Sequence, residues 1–92
     1  MSPPVDTSGS QLEPRLKEVL DLERSWWQLG APKERAIRER LGLSTTRYHQ
    51  LLTKAINLPE ALAYDPMLVR RLRRLREARR RKRYAVRLGL QP

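Results

Sequence analysis

AIRERLGLSTTRYHQLL, residues 36–52, is the stretch that decides the fold of this chain. Apolar residues stand before Gly42 at positions 37 and 41 and after it at positions 43, 48 and 51, which is typical of two short helices packed on each other. Gly42 allows the positive φ of a tight turn without a Cβ clash. Ser44 is a favoured N-cap for the second helix. The stretch therefore predicts a helix, a tight turn and a second helix.

Around this pair, apolar periodicity and helix-breaking residues predict the remaining elements. We expect helices over residues 12–29, 32–41, 45–57 and 66–83, with a linker of about one helical turn over residues 58–64. Trp27 is expected in the core of the first helix, and the apolar stripe of the last helix is Leu68, Leu72 and Leu75, extended by Ala78. Residues 1–11, rich in Pro, Ser and Gly, predict a disordered tail, and residues 84–92 a C-terminal tail.

These elements predict the fold class. No stretch shows the alternation of a β-strand at useful length. We expect one all-α domain over residues 12–83, with four helices, a central helix-turn-helix and a long basic C-terminal helix over residues 66–83. A core without Phe is small for 92 residues, so a partner or a second copy in a homodimer could add stability.

Charge is distributed very unevenly along the chain. The net charge is +10, and residues 66–92 carry all of it, with eleven Arg or Lys and one acid, Glu77. Residues 1–65 hold nine cations and nine acids. In a helix whose charges are nearly all positive, the side chains at i and i+4 repel each other. Because each neutralised phosphate releases a condensed counterion, the commonest partner for such a segment is nucleic acid.

Several other classes of protein are not supported by the sequence. Cysteine is absent, which fits a reducing cytoplasm, and no run approaches the roughly 20 apolar residues of a membrane span. His49 is the only histidine and has no cysteine or convergent acids to complete a zinc site. No nucleotide-binding loop or nucleophile elbow is present. We expect a protein that is not an enzyme, with no metal, no cofactor and no membrane contact.

The stretch over residues 36–52 resembles the helix-turn-helix in the promoter-reading region of sigma factors and in many bacterial regulators. A wider pattern over residues 12–83 is similar to a family of short, largely uncharacterised actinobacterial helix-turn-helix proteins. It comprises Leu22-Glu23, Trp26-Trp27, Gly30-Ala31-Pro32-Lys33, Arg47-Tyr48, Pro59-Glu60-Ala61-Leu62, Asp65-Pro66 and residues 68–74. This resemblance implies a DNA-associated bacterial protein, and the family brings no known target.

Motif and charge together predict a non-enzymatic protein that binds double-stranded DNA, as a small transcription regulator or a nucleoid-associated protein of the cytoplasm. The second helix of the pair would enter the major groove and the basic helix would contact phosphates. The expected base contacts are Thr46, Arg47, His49, Gln50, Thr53 and Lys54. The expected phosphate contacts are Ser44, Thr45, Arg70, Arg71, Arg73, Arg74, Arg76, Arg79, Arg80, Arg81, Lys82 and Arg83.

An alternative function stays open at this stage. The helix-turn-helix body could instead contact RNA polymerase or a sigma factor, which would make the protein an adaptor. The basic helix could also bind structured RNA, whose A-form duplexes are recognised by shape.

Overall fold

The computed structural model describes residues 12–87 and residue 89. These residues form five α-helices and one 3-10 helix, and none of them forms a β-strand. The elements are α1 (Pro14–Ser25), the 3-10 helix (Trp26–Leu29), α2 (Lys33–Leu41), α3 (Thr45–Ile56), α4 (Pro59–Tyr64) and α5 (Pro66–Arg87). The all-α fold class is therefore confirmed, although the number of helices is five and not the predicted four. The predicted tail over residues 1–11 lies outside the described residues, as do residues 88 and 90–92.

The turn between α2 and α3 follows from local chemistry. Gly42 has φ 67°, and its N–H donates to the Arg38 carbonyl oxygen at 2.9 Å, which closes the last turn of α2. The Ser44 side chain accepts a hydrogen bond from the Arg47 N–H at 3.1 Å and caps α3. Only one residue, Leu43, separates these caps, so α2 and α3 are held at a fixed angle.

The first helix, predicted over residues 12–29, is an α-helix only over Pro14–Ser25, and the second half of the chain differs from the sequence prediction in two further places. Residues 59–64 form a helix of their own, because Pro59 fits its first turn and Asp65, which precedes Pro66, leaves the helical region with φ −147° and ψ 78°. The last helix continues to Arg87, four residues past its predicted end at Arg83, because no residue before Gly89 breaks it. Residues 84–87 therefore belong to α5 and not to a tail.

The core lies between α1 and α3, and α2, α4 and the first turns of α5 pack around it. Its buried members are Leu12, Leu16, Val19, Leu20, Leu22, Ala36, Ile37, Tyr48, Leu51, Leu52, Ala55, Ile56, Ala61, Leu68 and Val69. Within the described part of the chain, every side chain that is buried to this degree is apolar or is Tyr48. One small core therefore fixes all five helices.

Two core expectations are wrong. The Trp27 side chain is 65% exposed, while Trp26 packs against the core. The chain changes from an α-helix to a 3-10 helix at Trp26, and the tighter 3-10 helix changes the angle at which the next side chain emerges. Leu75 is 46% exposed, and Ala78 is exposed as well. Unlike Leu68 and Leu72, neither side chain packs against the core.

Over the described residues, no helix combines the length and the apolar character needed to cross a membrane.

Candidate functional site

The orientation of α3 is set by a buried contact at Tyr48. This side chain is fully buried, and its hydroxyl donates to Glu23 Oε1 at 2.7 Å and lies 3.2 Å from the Val19 carbonyl oxygen. Lys33 Nζ lies 2.9 Å from Glu23 Oε1 and 5.7 Å from the centre of the Tyr48 ring. Burial, and then the hydrogen bond to the Glu23 carboxylate, raise the pKa of Tyr48 well above its ordinary value. Because Tyr48 faces the core, the opposite side of α3 faces solvent.

The exposed side of α3 carries every predicted base contact. Thr46, Arg47, His49, Gln50, Thr53 and Lys54 are all exposed, and α3 contains no acid. Arg47 Nη1 donates to Gln50 Oε1 at 3.2 Å, which aligns these two side chains along one ridge of the helix. Lys54 lies 3.9 Å from the Glu13 carboxylate at the edge of this surface. The structure therefore brings these six residues together on one face.

The first half of α5 is joined to the C-terminal end of α3. Arg73 Nε donates to the Ile56 carbonyl oxygen at 2.6 Å, and Arg76 Nη1 donates to Asn57 Oδ1 at 2.7 Å. The last carbonyl groups of a helix carry partial negative charge, so cations stabilise this end. Arg73 and Arg76 were predicted as phosphate contacts, but in the structure both guanidinium groups already bind the end of α3.

The remaining cations of α5 divide between two sides of the helix. Successive residues are about 100° apart around a helix, so Arg79 and Arg83 continue the side on which Leu68 and Leu72 face the body. We call Arg79, Lys82, Arg83 and Arg87 the inner face, and Arg70, Arg71, Arg74 and Arg81 the outer face; Arg71 stands at the boundary, about 20° around the helix from Lys82. Arg80 lies between them and pairs with Glu77 at 3.9 Å. The four outer-face arginines were all predicted as phosphate contacts. As a group they point away from the side of α5 that faces α3.

The exposed side of α3 and the inner face of α5 form one continuous surface. A shallow depression on α3 is lined by Thr45, Thr46, His49, Gln50 and Thr53. His49 and Thr53 also line a groove of about 300 Å³ between α3 and α5, together with Arg76 and Arg79. Arg76 and Arg79 in turn belong to a depression along α5 that Lys82, Arg83, Val86 and Arg87 complete. We call this continuous region the α3–α5 surface.

The chemistry of this surface suits a polyanion. Glu23, the one acid that lines the groove, is paired with Lys33, so it does not neutralise Arg79. Among the described residues, none of the four inner-face cations forms an ion pair. No group of three or more potential metal ligands occurs in the described part of the chain. The surface offers charge, hydroxyl groups and an amide, all of which can bind an anionic ligand.

Sequence reasoning missed one cation of the inner face, Arg87. It follows Arg83 by four residues and Arg79 by eight, which places all three on one side of a helix. That spacing could have identified Arg87 if the predicted helix had extended beyond Arg83.

Comparisons with known proteins place the chain in a family. No curated protein and no solved structure matches it significantly. Residues 11–84 match the model of a family described as "Protein of unknown function (DUF3263)". Because the match spans most of the 92 residues, the chain belongs to the DUF3263 family.

Proposed function

We propose that this protein binds double-stranded DNA without catalysis, as a small transcription regulator or a nucleoid-associated protein of the cytoplasm. The observation that supports this most strongly is the continuity of the α3–α5 surface. The polar side of α3 and the cationic inner face of α5 share a groove, so one ligand can contact both. A DNA duplex can contact both helices at once, because it presents base edges in the major groove and phosphates beside that groove.

The dimensions and chemistry of α3 support its insertion into the major groove. Twelve residues give a helix about 18 Å long, and the major groove is about 12 Å wide and admits an α-helix. Gln50 can form two hydrogen bonds with one adenine, and Arg47 can form two with one guanine. The Thr46 methyl group can contact the methyl group of thymine. In this proposal α2 and α3 act as a helix-turn-helix, and α3 is its recognition helix.

The inner face of α5 supports the phosphate contacts. Arg79, Lys82, Arg83 and Arg87 extend over about 12 Å of helix, which matches a short run of backbone phosphates. Arg79 shares the groove with His49 and Thr53, so the phosphate nearest the bases that α3 reads would bind there. These contacts would supply most of the affinity and little of the sequence preference.

The experiment that tests this function compares binding to a selected duplex and to a random duplex by fluorescence anisotropy. The selected duplex comes from repeated selection of a randomised library with the wild-type protein. Changing Arg47→Ala and Gln50→Ala should weaken binding to the selected duplex by about 1–3 kcal/mol and to the random duplex far less. A matched control, Gln28→Ala with Arg40→Ala, removes the same side-chain types from exposed positions outside the α3–α5 surface and should change neither.

A second variant tests the phosphate contacts in the same assay. Changing Arg79, Lys82, Arg83 and Arg87 to Gln should weaken both duplexes alike. It should also reduce the slope of log affinity against log salt by about 3 to 4, because each lost phosphate contact removes about 0.9. Absence of duplex binding at low salt would refute the proposed function. Tighter binding to an RNA duplex of the same sequence would assign the surface to RNA instead.

A separate observation favours an adaptor that contacts RNA polymerase or a sigma factor. Trp27 is 65% exposed, and its indole N–H donates to the Arg24 carbonyl oxygen at 3.1 Å, which fixes the ring in solvent. Exposed tryptophans often contribute strongly to protein interfaces. If this second function is present, Trp27→Ala will weaken binding to purified polymerase holoenzyme and leave duplex affinity unchanged.

A further inference from the structure

The outer face of α5 is a second cationic surface that the proposed function does not use. Arg70, Arg71, Arg74 and Arg81 are all exposed. Their mean direction is roughly 150° around the helix from that of the inner face, at about 100° per residue. None of the four forms a side-chain hydrogen bond or an ion pair among the described residues. Their charge is therefore available to a ligand.

The acids of the fold do not neutralise this face. Glu77 is the only acid on α5, and it pairs with Arg80 at 3.9 Å. Asp65, just before the helix, lies 3.7 Å from Arg24 of α1. The four arginines extend over about 16 Å of helix, and like charges at i and i+4 repel. An anion with repeated charges at this spacing would remove that repulsion.

A duplex on the α3–α5 surface lies on the other side of α5 from Arg70, Arg74 and Arg81. The α3 helix fixes that duplex on the inner side of α5, and the outer face points the opposite way across a helix about 10–12 Å in diameter. A second duplex segment has the complementary charge and can approach from the free side. We propose that the outer face of α5 binds a second segment of double-stranded DNA, so that one molecule bridges two duplexes. This inference rests on the proposed DNA binding.

The test is a bridging assay with two variants of equal charge. One biotinylated duplex is immobilised on beads, and capture of a second, fluorescent duplex is measured with and without protein. The outer-face variant changes Arg70, Arg71, Arg74 and Arg81 to Gln, and the inner-face variant changes Arg79, Lys82, Arg83 and Arg87 to Gln. Both lose four charges, and Gln is a good helix former, so circular dichroism should show unchanged helix content.

Wild type should capture the second duplex. The outer-face variant should lose capture at least about tenfold while its affinity for one selected duplex changes less than about twofold. The inner-face variant should lose that single-duplex affinity at least about tenfold. Sedimentation should show that the bridged complex holds one protein molecule at each contact between the duplexes.

Three results would overturn bridging and leave the proposed function in place. The first is duplex binding by wild type without capture of a second duplex. The second is an equal loss of single-duplex affinity in both variants, which would place both faces on one duplex. The third is capture that depends on protein dimers. If wild type binds no duplex at all, the proposed function and bridging both fail.

Discussion

The contact that orients α3 can be tested by removing one oxygen atom. Tyr48→Phe deletes the hydroxyl that donates to Glu23 Oε1 at 2.7 Å inside the core, while the ring keeps its packing. A hydrogen bond to a charged group contributes about 1.5–3 kcal/mol, and the Glu23 carboxylate would lose one of its partners. We expect a loss of about 2 kcal/mol, which lowers Tm by roughly 8–16 °C in a domain of this size.

The same variant should change how stability depends on alkaline pH. The pKa of Tyr48 is raised in the folded state above its ordinary value of 10.0, by burial first and then by the hydrogen bond to Glu23. Above pH 10 the unfolded chain loses this proton and the folded chain keeps it, so the free energy of unfolding falls as pH rises. The expected slope is about 1.4 kcal/mol per pH unit.

Urea unfolding of both proteins between pH 7 and pH 11 measures the two effects together. Tyr48→Phe should be less stable at pH 7 and should lose this component of the alkaline slope. Part of the alkaline slope should remain in this variant because of Tyr64. The Tyr64 hydroxyl donates to Asp21 at 2.7 Å, and that hydrogen bond raises the pKa of Tyr64. Tyr84→Phe is the control, since Tyr84 is exposed. If Tyr48→Phe matches wild type in stability and slope, the hydroxyl does not donate to Glu23 and the orientation of α3 depends on packing alone.

Three further substitutions test the ends of α2 and α3, each by urea unfolding. Gly42→Val should lower the free energy of unfolding by roughly 1–3 kcal/mol because φ is 67°, although an added Cβ would meet no atom within 4 Å. Gly42→Asn should be tolerated, since Asn adopts positive φ more readily, and equal losses of stability in the two variants would contradict backbone strain as the cause. Ser44→Ala should cost about 0.5–2 kcal/mol through loss of the cap, and an unchanged midpoint would show that the cap contributes nothing. Arg73→Gln should cost about 1 kcal/mol because the Ile56 carbonyl oxygen loses its cationic donor, whereas Arg74→Gln should be neutral.

Much of the helix pattern could be predicted from residues that start and stop helices. Gly42 and Ser44 gave the end of α2 and the start of α3 because their effects are local. The six residues of α4 are too few to show a helical period, so the sequence indicated only a linker there. Trp27 was wrongly expected in the core because the change to a 3-10 helix depends on how the chain packs, which an angle of about 100° per residue does not reveal.

The members of the candidate site could be predicted by residue type, but their arrangement could not. The exposed side of α3 could be predicted from its buried side, because the apolar and the polar residues follow the same helical repeat. The roles of Arg73 and Arg76 depend on which atoms of α3 lie near them, and Ile56 is 17 residues away from Arg73. A sequence of consecutive arginines contains no signal that separates such residues from their neighbours.

The two cationic faces of α5 differ in the direction of their side chains and not in their charge. A run of cations in sequence suggests one binding surface, but a helix distributes consecutive residues around its whole circumference. The body occupies one side of the first turns, where Leu68 and Val69 are buried and Arg73 binds the end of α3. These contacts fix the rotation of α5, and the fixed rotation determines which arginines share a side with α3. The proposed binding of DNA by α5 therefore depends on the packing of its first half, and a variant that rotates this half would redirect the inner face without changing the net charge.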